Sequence, residues 1–129
     1  MPLLDRALGI HQHALPLRNA RISTLASNIA NADTPGYKAK DVDFKKAIKA
    51  HMGQGAMTVT NNKHFRHPSV NNGSFPTYFE KALNPSPDGN TVEIGVQQAK
   101  FGRAAGRYEA TLNFIEGRIS GVRKALKGE

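Results

Sequence analysis

The chain has 129 residues, enough for one domain, with 18 Lys plus Arg against 10 Asp plus Glu for a net charge of +8. It contains no cysteine, which excludes disulfides and thiol chemistry, and no run of about 18 consecutive apolar residues, which excludes an apolar membrane-spanning helix. The start, Met1-Pro2-Leu3-Leu4-Asp5-Arg6, does not read as a secretory signal, because a carboxylate precedes the first arginine and no apolar core comes after it.

The first predicted element is a helix over about residues 3 to 31. Leu4, Leu8, His11, Leu15, Arg18, Ile22, Leu25, Ile29 and Ala32 recur at alternating spacings of three and four, the pattern of a coiled-coil seam. Pro16 interrupts it. Proline lacks a backbone donor and clashes with the preceding turn, at about 3 kcal/mol in a helix interior, so a kink or break is expected near residues 12 to 16. Asn31 and Asp33 favour local bonds over continued helix. Thr34-Pro35-Gly36-Tyr37 then fits a type II turn, in which proline sets φ at the second position and glycine supplies φ > 0 at the third.

The middle, residues 41 to 91, is predicted to be mostly irregular. Asp43 can cap a short helix to about His51, with Phe44 and Ile48 on one side and Gly53 and Gly55 at its end. Ala56 to Thr60 reads as a short strand, and Asn and Pro residues punctuate the stretch after it, leaving room for a hairpin at most. A turn at Ser86-Pro87-Asp88-Gly89 precedes the last helix. Asn90 is a good N-cap, and Glu93 three residues later completes a variant capping box.

The last helix carries Ile94, Gln98, Phe101, Ala105, Tyr108, Leu112, Ile115, Ile119, Val122 and Leu126 in an unbroken four-three alternation. The fold class is therefore mainly α. Two long terminal helices pair as a coiled-coil-like hairpin through Leu8, Leu15, Ile22, Leu25 and Ile29 on one side and the stripe from Phe101 to Leu126 on the other. Residues 1–40 and 92–129 form one domain, with 41–91 inserted between them. Opposite the second seam lie Ala99, Gly102, Gly106, Ala110, Phe114, Gly117 and Gly121. Each glycine costs a helix about 1 kcal/mol relative to alanine. Small residues at this spacing permit close approach by a helix of a neighbouring subunit; the other reading is plain tolerance of glycine.

Residues 25 to 41, Leu-Ala-Ser-Asn-Ile-Ala-Asn-Ala-Asp-Thr-Pro-Gly-Tyr-Lys-Ala-Lys-Asp, are the most specific part of the chain. The run from Asn28 to Asp43 with Phe44 resembles the N-terminal signature of the flagellar basal-body rod proteins, the axial family that builds rod and hook segments. Asn28, Asn31, Thr34, Pro35, Gly36 and Tyr37 carry the likeness. Asp88-Gly89-Asn90-Thr91-Val92-Glu93 and the helix after it are similar to the family's closing segment, while residues 52 to 87 contribute little. The resemblance implies a structural subunit whose terminal helices form the inner layer of a hollow, helically assembled rod in the periplasm. It also implies export by the flagellar type III apparatus without a cleaved signal. The implied partners are further copies, other rod proteins, and the adaptor and ring proteins of the basal body. The absence of thiols suits a chain that crosses between compartments unfolded.

Chemical alternatives find little in the residues. His11 and His13 would point to different sides of a helix, and His64 and His67 have no acidic partners nearby, so the histidines read as scattered polar residues rather than metal ligands. Asp41 and Asp43 read as caps rather than as an acid–base pair. No nucleophile elbow, phosphate loop or dinucleotide pattern occurs, and neither catalysis, a cofactor nor a small-molecule substrate is expected. The second functional class is a small basic helical module that binds nucleic acid. Only the charge favours it, and the basic clusters Lys38-Ala39-Lys40, Lys45-Lys46 and Arg123-Lys124 are too sparse for a phosphate track.

Overall fold

The computed structural model describes residues 11–53 and 75–128, together with Arg6, Leu8 and Gly9. Two long helices, α1 (His11–Ala30) and α3 (Ile94–Lys127), pack against each other. A small layer of β1 (Lys40–Val42), α2 (Phe44–Gly53) and β2 (Thr77–Phe79) lies against the flank of α1. The expected strand at Ala56–Thr60 lies outside the described residues.

Of the kink or break expected near residues 12 to 16, the break is absent: α1 runs through Pro16. Pro16 falls in the second turn of the helix, so α1 forgoes one backbone bond near its start and continues. An interruption lies earlier, at Gly9, whose φ of +59° is left-handed: Arg6 and Leu8 before it are helical, and α1 itself starts at His11.

The apolar stripe of α1 is wider than a two-helix seam requires. Leu17, Leu25 and Asn28 are its buried residues, while Leu15, Ile22 and Ile29, and Leu8 ahead of the helix, are half-buried. A helix with one partner buries one stripe. This one has two, because α3 covers one side and the β1–α2 layer takes the side of Leu17, Arg21 and Asn28.

β1 and β2 pair antiparallel in the register Lys40 with Phe79, Asp41 with Tyr78, and Val42 with Thr77. Asp43 N–H to the Pro76 carbonyl at 2.8 Å and Glu80 N–H to the Ala39 carbonyl at 2.9 Å extend the ladder at each end. Asp43 caps α2 as its sequence context predicts: its Oδ1 accepts the Lys46 N–H at 3.0 Å. Phe44 and Ile48 are half-buried.

The start of α3 departs from expectation. Glu93, not Asn90, holds the N-cap position, and its side chain makes no cap bond to the helix. Its Oε1 instead accepts the N–H groups of Leu83 and Asn84 at 2.7 and 3.2 Å, tying down the chain that leads into the helix. At the far end Gly128, with φ of +74°, closes α3 by giving its N–H to the carbonyls of Ala125 and Lys124.

Candidate assembly interface

The end of α1, the turn after it and the entry to α3 are bonded into one unit. Gly36 has φ of +71°, and the Tyr37 N–H reaches the Thr34 carbonyl at 3.3 Å, as a turn with left-handed glycine at its third position requires. Thr34 is held on both sides, its N–H on the Asn31 carbonyl at 3.1 Å and its hydroxyl on Asn31 Oδ1 at 3.1 Å. Pro35 and Gly36 are exposed at the tip.

The returning chain then closes on this turn. Gly36 N–H donates to the Asp88 carbonyl and Thr91 N–H to the Tyr37 carbonyl, each at 3.0 Å. Ala39 N–H donates to the Thr91 hydroxyl at 2.8 Å. Asn90 completes the join. Only 2% exposed, its amide nitrogen lies 2.9, 2.9 and 2.8 Å from the carbonyls of Asn31, Ala32 and Thr34, and its Oδ1 accepts the Val92 N–H. The residue expected to start α3 thus satisfies carbonyls at the end of α1.

Asn28 lies beneath the turn, fully buried. Its amide donates to the Lys40 carbonyl at 2.7 Å and to Gln97 Oε1 at 3.0 Å, and its oxygen accepts the Lys40 N–H at 3.1 Å and the Tyr37 hydroxyl at 3.4 Å. Gln97, 1% exposed, passes the chain of bonds to Glu80 at 2.7 Å, and Glu80 pairs with Lys100. A buried amide costs stability unless its donors and acceptors are matched. Here they are, so Asn28 fixes the rotation of α1 against both β1 and α3. Composition alone does not reveal the roles of Gln97 and Asn90, since Asn28 lies 69 residues from Gln97 and the acceptors of Asn90 lie 56 to 59 residues away.

Along α3 the deepest positions are Gln97, Ala104 and Thr111, each seven residues from the next. Phe101, Tyr108, Leu112, Ile115 and Val122 flank this line and are half-buried. The sequence-derived seam is therefore rotated toward Gln97 and Ala104. Ile119 and Leu126 are corrections to it, being 45% and 84% exposed. The helix there has run past the described part of α1: 34 residues span about 51 Å against about 30 Å for 20.

On the opposite face, Gly102, Gly106, Ala110, Gly117 and Gly121 are all exposed, and a Cβ built on any of the four glycines meets nothing within 4 Å. Phe114 does not belong with them. Its ring packs on His11 of α1 at 4.3 Å between centroids, with the Arg118 guanidinium 5.2 Å from its centre.

A second feature lies on the flank between α1 and the β1–α2 layer. Asp41, expected as a cap, is 3% exposed and takes a two-pronged bond from Arg21 at 3.1 and 3.2 Å. Arg18 beside it packs over the Phe44 ring at 5.2 Å. Burial, then the charges of Arg107 and Arg21, lower the pKa of Arg18 from its ordinary value. Among the described residues no group of three or more His, Cys, Asp or Glu could hold a metal ion, and no helix is long and apolar enough to cross a membrane.

The described residues thus form a bonded turn that joins two long helices, one of them glycine-faced. The sequence profile of the family described as "Flagella basal body rod protein" matches residues 8–38, which end just past the turn. A protein of Aeromonas hydrophila named flagellar basal body rod protein FlgB is 44% identical over 97% of this chain and 96% of its own length. Proteins of that name from Cereibacter sphaeroides and Escherichia coli K12 are 41% and 36% identical over 95% and 96% of this chain. The chain belongs to the flagellar basal body rod proteins of the FlgB type. It is a structural component of the flagellar basal body rod and not an enzyme.

Proposed function

We propose that the α1–α3 hairpin is the unit of assembly, and that subunits join through the glycine-lined face of α3 as well as through the helix ends. One observation carries this reading. Gly102, Gly106, Gly117 and Gly121 weaken a helix by about 1 kcal/mol each, yet nothing among the described residues approaches them. Their use, on this reading, is to let the backbone of a neighbouring subunit come close. The bonded turn from Asn31 to Tyr37 holds the two helices in one angular relation, so that each copy presents the same faces. The neighbours are further copies, other rod proteins, and the adaptor and ring proteins at the base of the rod. The periplasmic part of the rod is the site of assembly, reached through the type III export apparatus.

Gly117→Leu tests the reading. It raises intrinsic helix propensity by roughly 0.5–1 kcal/mol, and its Cβ has open space, so the monomer should be at least as helical as the parent by circular dichroism. Incorporation into isolated basal bodies should nevertheless fall, since close interfaces absorb added side chains at a penalty of about 1–3 kcal/mol. Incorporation at the parental level would show that the glycine face is ordinary surface. The alternative, a basic nucleic-acid-binding module, is supported by net charge alone. It requires a mobility shift that weakens steeply with salt.

A further inference from the structure

Arg18 of α1 and Arg107 of α3 face a cleft of about 480 Å³, bounded also by Arg21, Asp41, Phe44 and Tyr78. Its charges do not balance. Arg21 is matched by Asp41, and Asp43 uses an oxygen to cap α2. Arg18 has no such partner among the described residues: its Nε is buried without an acceptor. A guanidinium keeps its proton near neutral pH, and Arg107 brings a second positive charge to the same opening. The opening therefore suits a carboxylate, which can bond a guanidinium through two oxygens.

The other edge of α3 carries such groups. Glu109 and Glu116 are exposed and seven residues apart, hence on one side of the helix. Glu116 is nine residues from Arg107, about two and a half turns, which places it on the opposite side of the helix from the cleft. Each copy thus presents a basic opening and, on the other side of α3, an acidic stretch from Glu109 to Glu116 that ends before Arg123. Two different complementary edges give a head-to-tail contact, the kind that propagates into an open helical array rather than closing on itself.

We propose that the Arg18–Arg107 cleft receives the Glu109 and Glu116 edge of a second copy of this chain. The inference rests on the rod-subunit reading and adds which edges meet. Three chains test it in a flagellated host: Arg107→Glu, Glu109→Lys, and both substitutions together. The first two should lower the amount of the chain in isolated basal bodies at least tenfold. The combined chain, in which positions 107 and 109 have exchanged charge while Arg18 and Glu116 keep theirs, should recover at least half of the parental level. Parental incorporation of Arg107→Glu overturns the proposal, and so does loss without recovery in the combined chain, which points to a different protein as the occupant. A parent chain missing from basal bodies would sink the rod reading itself. Because the chain has no cysteine, a second measurement does not depend on charge reversal. Arg107→Cys and Glu109→Cys chains co-expressed and oxidised in the basal body should give mixed disulfide pairs in excess of like pairs. A like-pair excess, or no crosslink, overturns the proposal.

Discussion

The Asn90 amide nitrogen lies within 2.9 Å of three carbonyl oxygens, all of them in the turn that follows α1. Truncation to alanine strips those acceptors of a donor in a place where the residue is 2% exposed. Asn90→Ala should therefore cost about 2 kcal/mol, within the usual range for orphaned buried groups. It should appear as a lower urea midpoint at unchanged slope. Asn90→Asp should cost more, because an ionised carboxylate has no donor and would face three oxygens. Local sequence rules place this residue differently for a physical reason. A side chain with Glu93 three positions later looks like a helix start when only near neighbours are considered, and its actual acceptors are 56 to 59 residues away. Gly36 is the contrary case. Its left-handed φ was legible because proline before it and the turn bond around it are local requirements.

At the scale of the element, α1 shows how position within a helix sets the effect of proline. Pro16 lies in the second turn of His11–Ala30, so its penalty is one missing bond near an end that already lacks several. Pro16→Ala should restore that bond. Part of the gain is offset by the freedom alanine returns to the unfolded chain. A net stabilisation of about 1 kcal/mol is expected, read as a rise of about 4 °C in thermal midpoint. A fall in midpoint would mean that the proline ring is needed where it packs beside His11 and Leu17. The helices themselves were legible from periodicity, since α1 and α3 each carry a three-four apolar repeat. Their exact facing was not. Apolar spacing identifies a stripe about a residue's step wide, whereas rotation here is fixed by polar side chains: Asn28 and Gln97 bonded to each other, and Arg21 bonded to Asp41. Periodicity counts such residues as breaks in the seam.

Across the whole molecule, order is unevenly supported. The buried residues of α3 are Gln97, Ala104 and Thr111, all in its first 18 positions, and from Glu116 to Gly128 only Val122 is not exposed. A helix segment with few tertiary contacts, as this one has among the described residues, is marginal in water. In dilute monomer, amide exchange should be slow from about Phe101 to Thr111 and fast from Gly117 to Lys127. The latter should become protected in the assembled rod. Uniformly slow exchange along α3 in the monomer would contradict this.

The crossing of the two terminal segments, where Gly36 bonds Asp88 and Tyr37 bonds Thr91, also governs how the chain can change in length. Beyond that crossing, β1 and β2 pair with each other, and the chain that joins α2 to β2 starts and ends on the far side of both. To the helix pair, the segment is a loop whose ends are already clamped together. Lengthening such a loop twofold adds only about 0.6 kcal/mol of closure entropy. The helical hairpin and the intervening chain can therefore diverge on separate terms: one is held to a fixed geometry by its bonded turn, and the other is free to gain or lose residues without disturbing the geometry that neighbouring subunits meet.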